Sequence, residues 1–145
     1  MLRFQILNLF FMAGLFFNSS LEAQSLEPGI WHAKTDFTVD GISLPASIGE
    51  ECVSTEQAKD AKGTISKALD KIGCILTQWN VKDNYLEAAL ECKNSELNAK
   101  GIIRGQFSEK NYQLEGSAHG FYLKVIPAVA TLKLNGQWLN ICSLP

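Results

Sequence analysis

A mainly β fold is expected for this chain: a curled antiparallel meander, barrel or half-barrel, of seven to eight strands with one short helical segment. Three observations point there. Apolar residues recur at every second position in several separate runs, the period of a strand with one buried face. Turn residues punctuate those runs at short intervals, as in meandering sheets. Only one stretch, Ser54 to Lys71, carries apolar residues at helical spacing.

Taken in order, Pro28-Gly29 reads as a turn and Trp31, Ala33, Thr35, Phe37 and Val39 then alternate with polar residues, a first strand ended by Gly41. Ile42 to Leu44 is a short second strand, halted by Pro45. In the helical stretch Ser54 and Gln57 have the spacing of a capping box, and Ala58, Ala61, Ile65, Ala68 and Leu69 form the apolar stripe. Gly63 is expected to split it into two helices, with Thr64 capping the second and Gly73 closing the segment. Strands resume at Cys74 to Val81, with Ile75, Thr77, Trp79 and Val81 on one face. They return at Tyr85 to Cys92 after the turn Lys82-Asp83-Asn84. Leu97 to Phe107 alternates cleanly. Tyr112 to Val125 is a long strand with Gly116 and Gly120 at bends. Pro127 interrupts, Ala128 to Leu134 follows, Asn135-Gly136 reads as a hairpin turn, and Trp138 to Cys142 is the last strand. No internal repeat or linker divides the chain, so a single domain is expected.

The first residues belong to another class of sequence. Arg3 is followed by an apolar run from Ile6 to Phe17, then by the polar, small-residue stretch Asn18 to Ser25. That order is the one a secretory signal peptide uses. The apolar run is shorter than the roughly 20 residues that span a bilayer. Residues 1–23 are therefore expected to be removed, with cleavage after Ala23 (Ser25 being the alternative position), leaving a domain over 24–145 that does not span the membrane. Arg3 and Glu22 leave together, so the net charge stays near −2. No basic cluster recommends nucleic acid as a partner.

All four cysteines, Cys52, Cys74, Cys92 and Cys142, lie in the mature part. An even number in an exported chain points to disulfides, and the spacing lacks the close ligand pairs of zinc sites. If the two strands around Asp83 form a hairpin, Cys74 lies opposite Cys92, within reach of a disulfide. Cys52–Cys142 follows by subtraction.

The search for chemistry finds little. Ser117 and His119, in Gly116-Ser117-Ala118-His119-Gly120, would share a strand face about 6.5–7 Å apart, long for a nucleophile and its base. His32 stands on the polar face of the first strand. Asp36 with Asp40, Glu87 with Glu91, and Glu50-Glu51 read as solvated carboxylates. No catalytic residue, metal site or cofactor is expected. Trp31, Trp79 and Trp138, each in a strand, are candidates for the core or for an apolar pocket. Tyr85, Tyr112, Phe121 and Tyr122 are candidates for an exterior aromatic patch that meets a partner.

Pro28-Gly29-Ile30-Trp31, the acidic helical start after Cys52, the bracketing pair Cys74 and Glu91-Cys92, and the late Cys142 together resemble an exported bacterial family, domain of unknown function 3617. The likeness runs from Pro28 to Cys142. The chain differs in lacking the Met- and Gly-rich early strands common there. The resemblance implies a periplasmic location and a β fold; with no activity assigned to the family, it transfers no catalytic residue. The expectation from all of this is a non-enzymatic periplasmic module that binds an envelope protein. The alternative is a carrier of a small, lipid-like apolar ligand inside a tryptophan-lined barrel.

Overall fold

The computed structural model describes residues 25–143; the leader expected at residues 1–23 lies outside them. Eight antiparallel strands form one sheet: β1 (Gly29–Val39), β2 (Ile42–Ser43), β3 (Ser47–Val53), β4 (Cys74–Lys82), β5 (Tyr85–Lys93), β6 (Leu97–Phe107), β7 (Asn111–Tyr122) and β8 (Ile126–Asn140). Helices α1 (Thr55–Lys59) and α2 (Ala61–Asp70) come between β3 and β4. β4 to β8 run up and down beside one another, and β1 returns to pair with β8. On its other side β1 holds β3 along its first half and β2 at its end. The sheet does not close on itself: β3 is one edge and β4 the other. This is the open, curled form of the expected meander.

The buried face follows from the alternation. Leu97, Ala99, Ile103 and Phe107 of β6, Leu114 and Ala118 of β7, and Ala130, Leu132 and Leu134 of β8 all point into one core. α2 covers that face. Its Ala61, Ile65 and Leu69, spaced one helical turn apart, are buried, and the helix lies against β4. Full burial of a side chain such as Leu69 contributes about 1.5–3 kcal/mol.

The helix start is the one the sequence predicts. The Gln57 backbone N–H donates to Ser54 Oγ at 3.2 Å, and the Ser54 N–H donates to Gln57 Oε1 at 2.9 Å. The split between the helices is not at Gly63. Asp60 ends α1 and caps α2, its carboxylate accepting the Gly63 N–H at 2.9 Å. Thr64 does not cap; its hydroxyl donates to the Gln57 carbonyl at 2.7 Å.

Both predicted disulfides are present. Cys74 and Cys92 are directly opposed and their Cα atoms lie 3.9 Å apart; those of Cys52 and Cys142 lie 5.8 Å apart. The hairpin reaches that register by a detour. Asp83 and Asn84 form a two-residue turn in the left-handed region, so Lys82 pairs with Tyr85. Carried straight on, that register would miss Cys92 by one residue. A bulge corrects it: Gln78 and Trp79 together oppose Ala88, with Gln78 at φ 49°. The bulge also reverses the faces, so Cys74 and Leu76 point inward before it and Trp79 and Val81 after it. Ile75 is consequently exposed instead of sharing a face with Trp79.

Two expectations about β8 fail. Neither Pro127 nor Asn135-Gly136 breaks it, and the strand runs unbroken from Ile126 to Asn140. The Val129 N–H points toward β1, where Asp40 accepts it, so the N–H that Pro127 lacks would point the same way. β1 has already ended there, and no ladder bond is lost. Gly136 is not a turn residue. A Cβ on it would lie 2.2 Å from the ring of Tyr112, its partner on β7, so the glycine makes room for a buried phenol. β3 is a strand that the sequence pattern does not predict.

Candidate functional site

The three tryptophans do not line one pocket. Trp31 is buried, with its ring stacked on Tyr112 at a centroid distance of 5.9 Å and its Nε1 donating to the Glu27 carbonyl at 2.8 Å. Trp138 is its cross-strand partner and is half-buried. Its Nε1 donates to the Pro28 carbonyl at 3.1 Å, and the Lys110 ammonium lies 4.7 Å from its ring centroid. Gly29, at φ 149°, leaves the space the Trp138 indole needs; a Cβ there would come within 2.3 Å of Nε1. The Pro28-Gly29-Ile30-Trp31 string is thus a structural corner that locks the start of β1 onto the end of β8. Trp79 is half-buried on β4, edge-on to Phe107 at 5.6 Å.

The expected exterior aromatic patch does not form as one surface. Tyr112 is in the core, and burial, with help from the Glu51 carboxylate, pushes its phenol up to about 12. Tyr122 is half-buried against the core and donates to Glu96 at 3.3 Å; that carboxylate's charge raises its pKa. Tyr85 stands exposed beside the β4–β5 turn. Phe121 is exposed by the β7–β8 turn, together with Leu123, Val125 and Ile126.

The convex face of the sheet carries two shallow grooves. One, of about 440 Å³, crosses β1, β8 and β7 past His32, Lys34, Gln113 and Asn135. The other, of about 530 Å³, lies between β6 and β7 past Ile102, Arg104, Glu115, Ser117 and His119. Ser117 and His119 are both exposed there, two residues apart on one strand, with Ile102 and Lys100 opposite them on β6. Among the described residues no group of three or more His, Cys, Asp or Glu side chains is placed to hold a metal ion. The carboxylates of this face meet cations. Glu87 faces Arg104, Glu91 faces Lys100 and Glu115 faces Lys133, each pair directly opposed across the ladder, and Asp36 pairs with Lys34.

β3 is different. Its seven residues, Ser47 to Val53, pair continuously with Gly29 to Thr35 of β1, without a bulge, and among the described residues their other side meets no strand. Ser47 to Cys52 are all exposed, and Ile48 keeps 61% of its surface. A Cβ on Gly49 would meet nothing within 4 Å. The strand is held at its far end by the Cys52–Cys142 bridge. Sequence reasoning missed it because a strand exposed on both faces shows no apolar alternation. The one available signal was Cys52, whose bridge to the C-terminal segment brings that end of residues 47–53 beside the sheet.

Among the described residues no helix is long and apolar enough to cross a membrane. No curated protein and no solved structure matches the chain. A family model, described as "Protein of unknown function (DUF3617)", matches residues 26–142. That span holds every strand, both helices and both disulfides, and the chain belongs to the DUF3617 family.

Proposed function

We propose that this protein is an exported, non-catalytic binding module of the bacterial envelope, and that it takes an extended segment of a protein partner onto the free edge of β3. The observation that carries the reading is the edge itself: seven paired residues on a bridged scaffold, with one row of backbone donors and acceptors unused. Natural sheets blunt such an edge with a proline, a bulge, a covering helix or charged side chains; among the described residues β3 has only the last, in Glu50 and Glu51. An open edge on a rigid sheet is the receptor for β-strand addition. Residues 1–23 act as the export signal in this reading, and the two disulfides form in the periplasm.

The competing reading, a lipid-like ligand held inside the sheet, has less to support it. The concave face is already occupied by Ile65, Leu69, Leu90, Ile103, Leu114 and Leu132, and Trp31 is stacked within that core.

The test is native mass spectrometry of tagged protein purified gently from its own envelope. A partner should appear in stoichiometric amount with the wild-type chain, lacking residues 1–23. It should be lost with Ile48→Pro, which removes an N–H that points away from β1, and retained with Ile48→Thr, which keeps that donor. A bare mature chain, or a partner indifferent to Ile48→Pro in a variant that still folds, rejects the edge as the site. Tryptophan fluorescence that responds to lipid micelles would move the apolar-ligand reading ahead.

A further inference from the structure

We infer that the segment received by β3 carries two adjacent basic residues. The inference rests on the edge reading above and names the chemistry of the partner. The sheet supplies its own pattern: on the convex face of β5 to β8, a Lys or Arg lies directly opposite each carboxylate, as in Glu87–Arg104, Glu91–Lys100 and Glu115–Lys133.

Glu50 departs from that pattern, and Glu51, on the other face, has no cation opposite it either. Their neighbours on β1 are His32 and Trp31, and neither carboxylate forms an ion pair among the described residues. Their other side is where a ninth strand would lie. Adjacent strand residues point to opposite faces. Glu50 therefore stands with His32 on the convex side, and Glu51 with Trp31 on the concave side, near enough to Tyr112 to raise its pKa. A single cation cannot serve both carboxylates. Two consecutive basic residues on an incoming strand can, one on each face.

Every pairing in this sheet is antiparallel, and the same sense for the incoming strand fixes the order of its residues. A basic residue opposes Glu51, the next opposes Glu50, a third lies over the open Gly49, and a fourth, apolar, reaches the exposed Ile48. A second copy of this chain fits badly, because two β3 edges together would line four carboxylates along one seam without a cation.

The probe is the blocked peptide Thr-Lys-Lys-Thr-Val-Thr, with Thr-Gln-Gln-Thr-Val-Thr and Thr-Glu-Glu-Thr-Val-Thr as comparisons. Each is titrated into ¹⁵N-labelled full-length mature protein, with amide shifts and hydrogen exchange read residue by residue. The lysine peptide should shift and protect amides within Ser47–Val53. It should bind roughly three- to tenfold tighter than the glutamine peptide at low salt, the size expected of two exposed ion pairs. That advantage should shrink in 0.5 M salt, and the doubly substituted E50K/E51K protein should prefer the glutamate peptide. Equal binding of all three peptides at β3 overturns the basic-pair inference and leaves the edge reading standing. Shifts located elsewhere, or none with any peptide, overturn both.

Discussion

The two edges of this sheet solve the same problem in different ways. β4 carries a bulge at Gln78 and Trp79, is locked to β5 by the buried Cys74–Cys92 bridge, and has α2 packed against it. β3 has an unbroken register, no helix beside it, and side chains exposed on both faces. Bulges, covering elements and charged side chains all discourage edge-to-edge pairing. One edge is interrupted by a bulge in its backbone. The other keeps a regular backbone and carries the charges of Glu50 and Glu51.

That contrast can be broken most forcefully at the disulfides. Replacing Cys52 and Cys142 together should cost about 4–5 kcal/mol, the loop-entropy value for a bridge spanning 90 residues. Replacing Cys74 and Cys92 removes a bridge spanning 18 residues, for which the same account gives about 3 kcal/mol, with a further loss from the buried sulfurs. Urea unfolding of each double variant measures both. Only the Cys52/Cys142 variant should also speed amide exchange in Ser47–Val53. Equal protection of β3 in the two variants would show that the bridge does not hold the open edge in place.

Side chains sharpen the comparison further. Leu69→Ala, beneath the bulged edge and fully buried, should lose about 2–5 kcal/mol. Ile48→Ala on the open edge should stay within about 0.5 kcal/mol. A comparable loss at Ile48 would mean that β3 packs against something in the free protein.

The next effect is a pH dependence. The Tyr112 phenol titrates near 12 in the folded chain against an ordinary value near 10. A raised pKa on a group that ionises by losing its proton stabilises the fold fully below the unfolded value. That stabilisation is lost as pH rises from about 10 to about 12, and it amounts to about 2–3 kcal/mol. Absorbance of ionised tyrosine followed beside urea unfolding at each pH checks it: one tyrosine should ionise well above the ordinary range, and stability should fall over the same interval. The smallest effect belongs to Glu51→Gln. It removes the lesser of the two causes and should lower that titration slightly without lowering stability at neutral pH.

What could be read from the sequence was whatever depended on local, two-sided pairing. β6 was legible because Leu97, Ala99, Ile103 and Phe107 alternate between two neighbouring strands and face the core. The capping box at Ser54 and the opposition of Cys74 and Cys92 were legible because each rests on a short spacing. Asn135-Gly136 misled because the same dipeptide serves a tight turn or a close approach, and only the Tyr112 ring on β7 decides between them. The bulge at Gln78 was hidden because the residue in the left-handed conformation is not glycine. Of the candidate site, only Glu50-Glu51 was visible in the sequence, as solvated carboxylates. Ser47 to Cys52 could not be recognised as the edge, since a strand wetted on both faces carries no apolar period.

The bridge between Cys52 and Cys142 also sets how the molecule answers a pull. Tension applied between Ser25 and Ser143 runs along β1 and β3 to Cys52, crosses the sulfurs, and leaves at Cys142. β4 to β7 and both helices lie outside that path, and β8 resists the pull only through its ladder with β1. The chain could then lengthen by roughly a hundred ångströms before the covalent link bears the force, against roughly four hundred if the bridge were reduced. A partner strand seated on β3 would lie along the segment that peels first. With the bridge reduced, that covalent stop is gone and the same pull reaches every strand of the sheet.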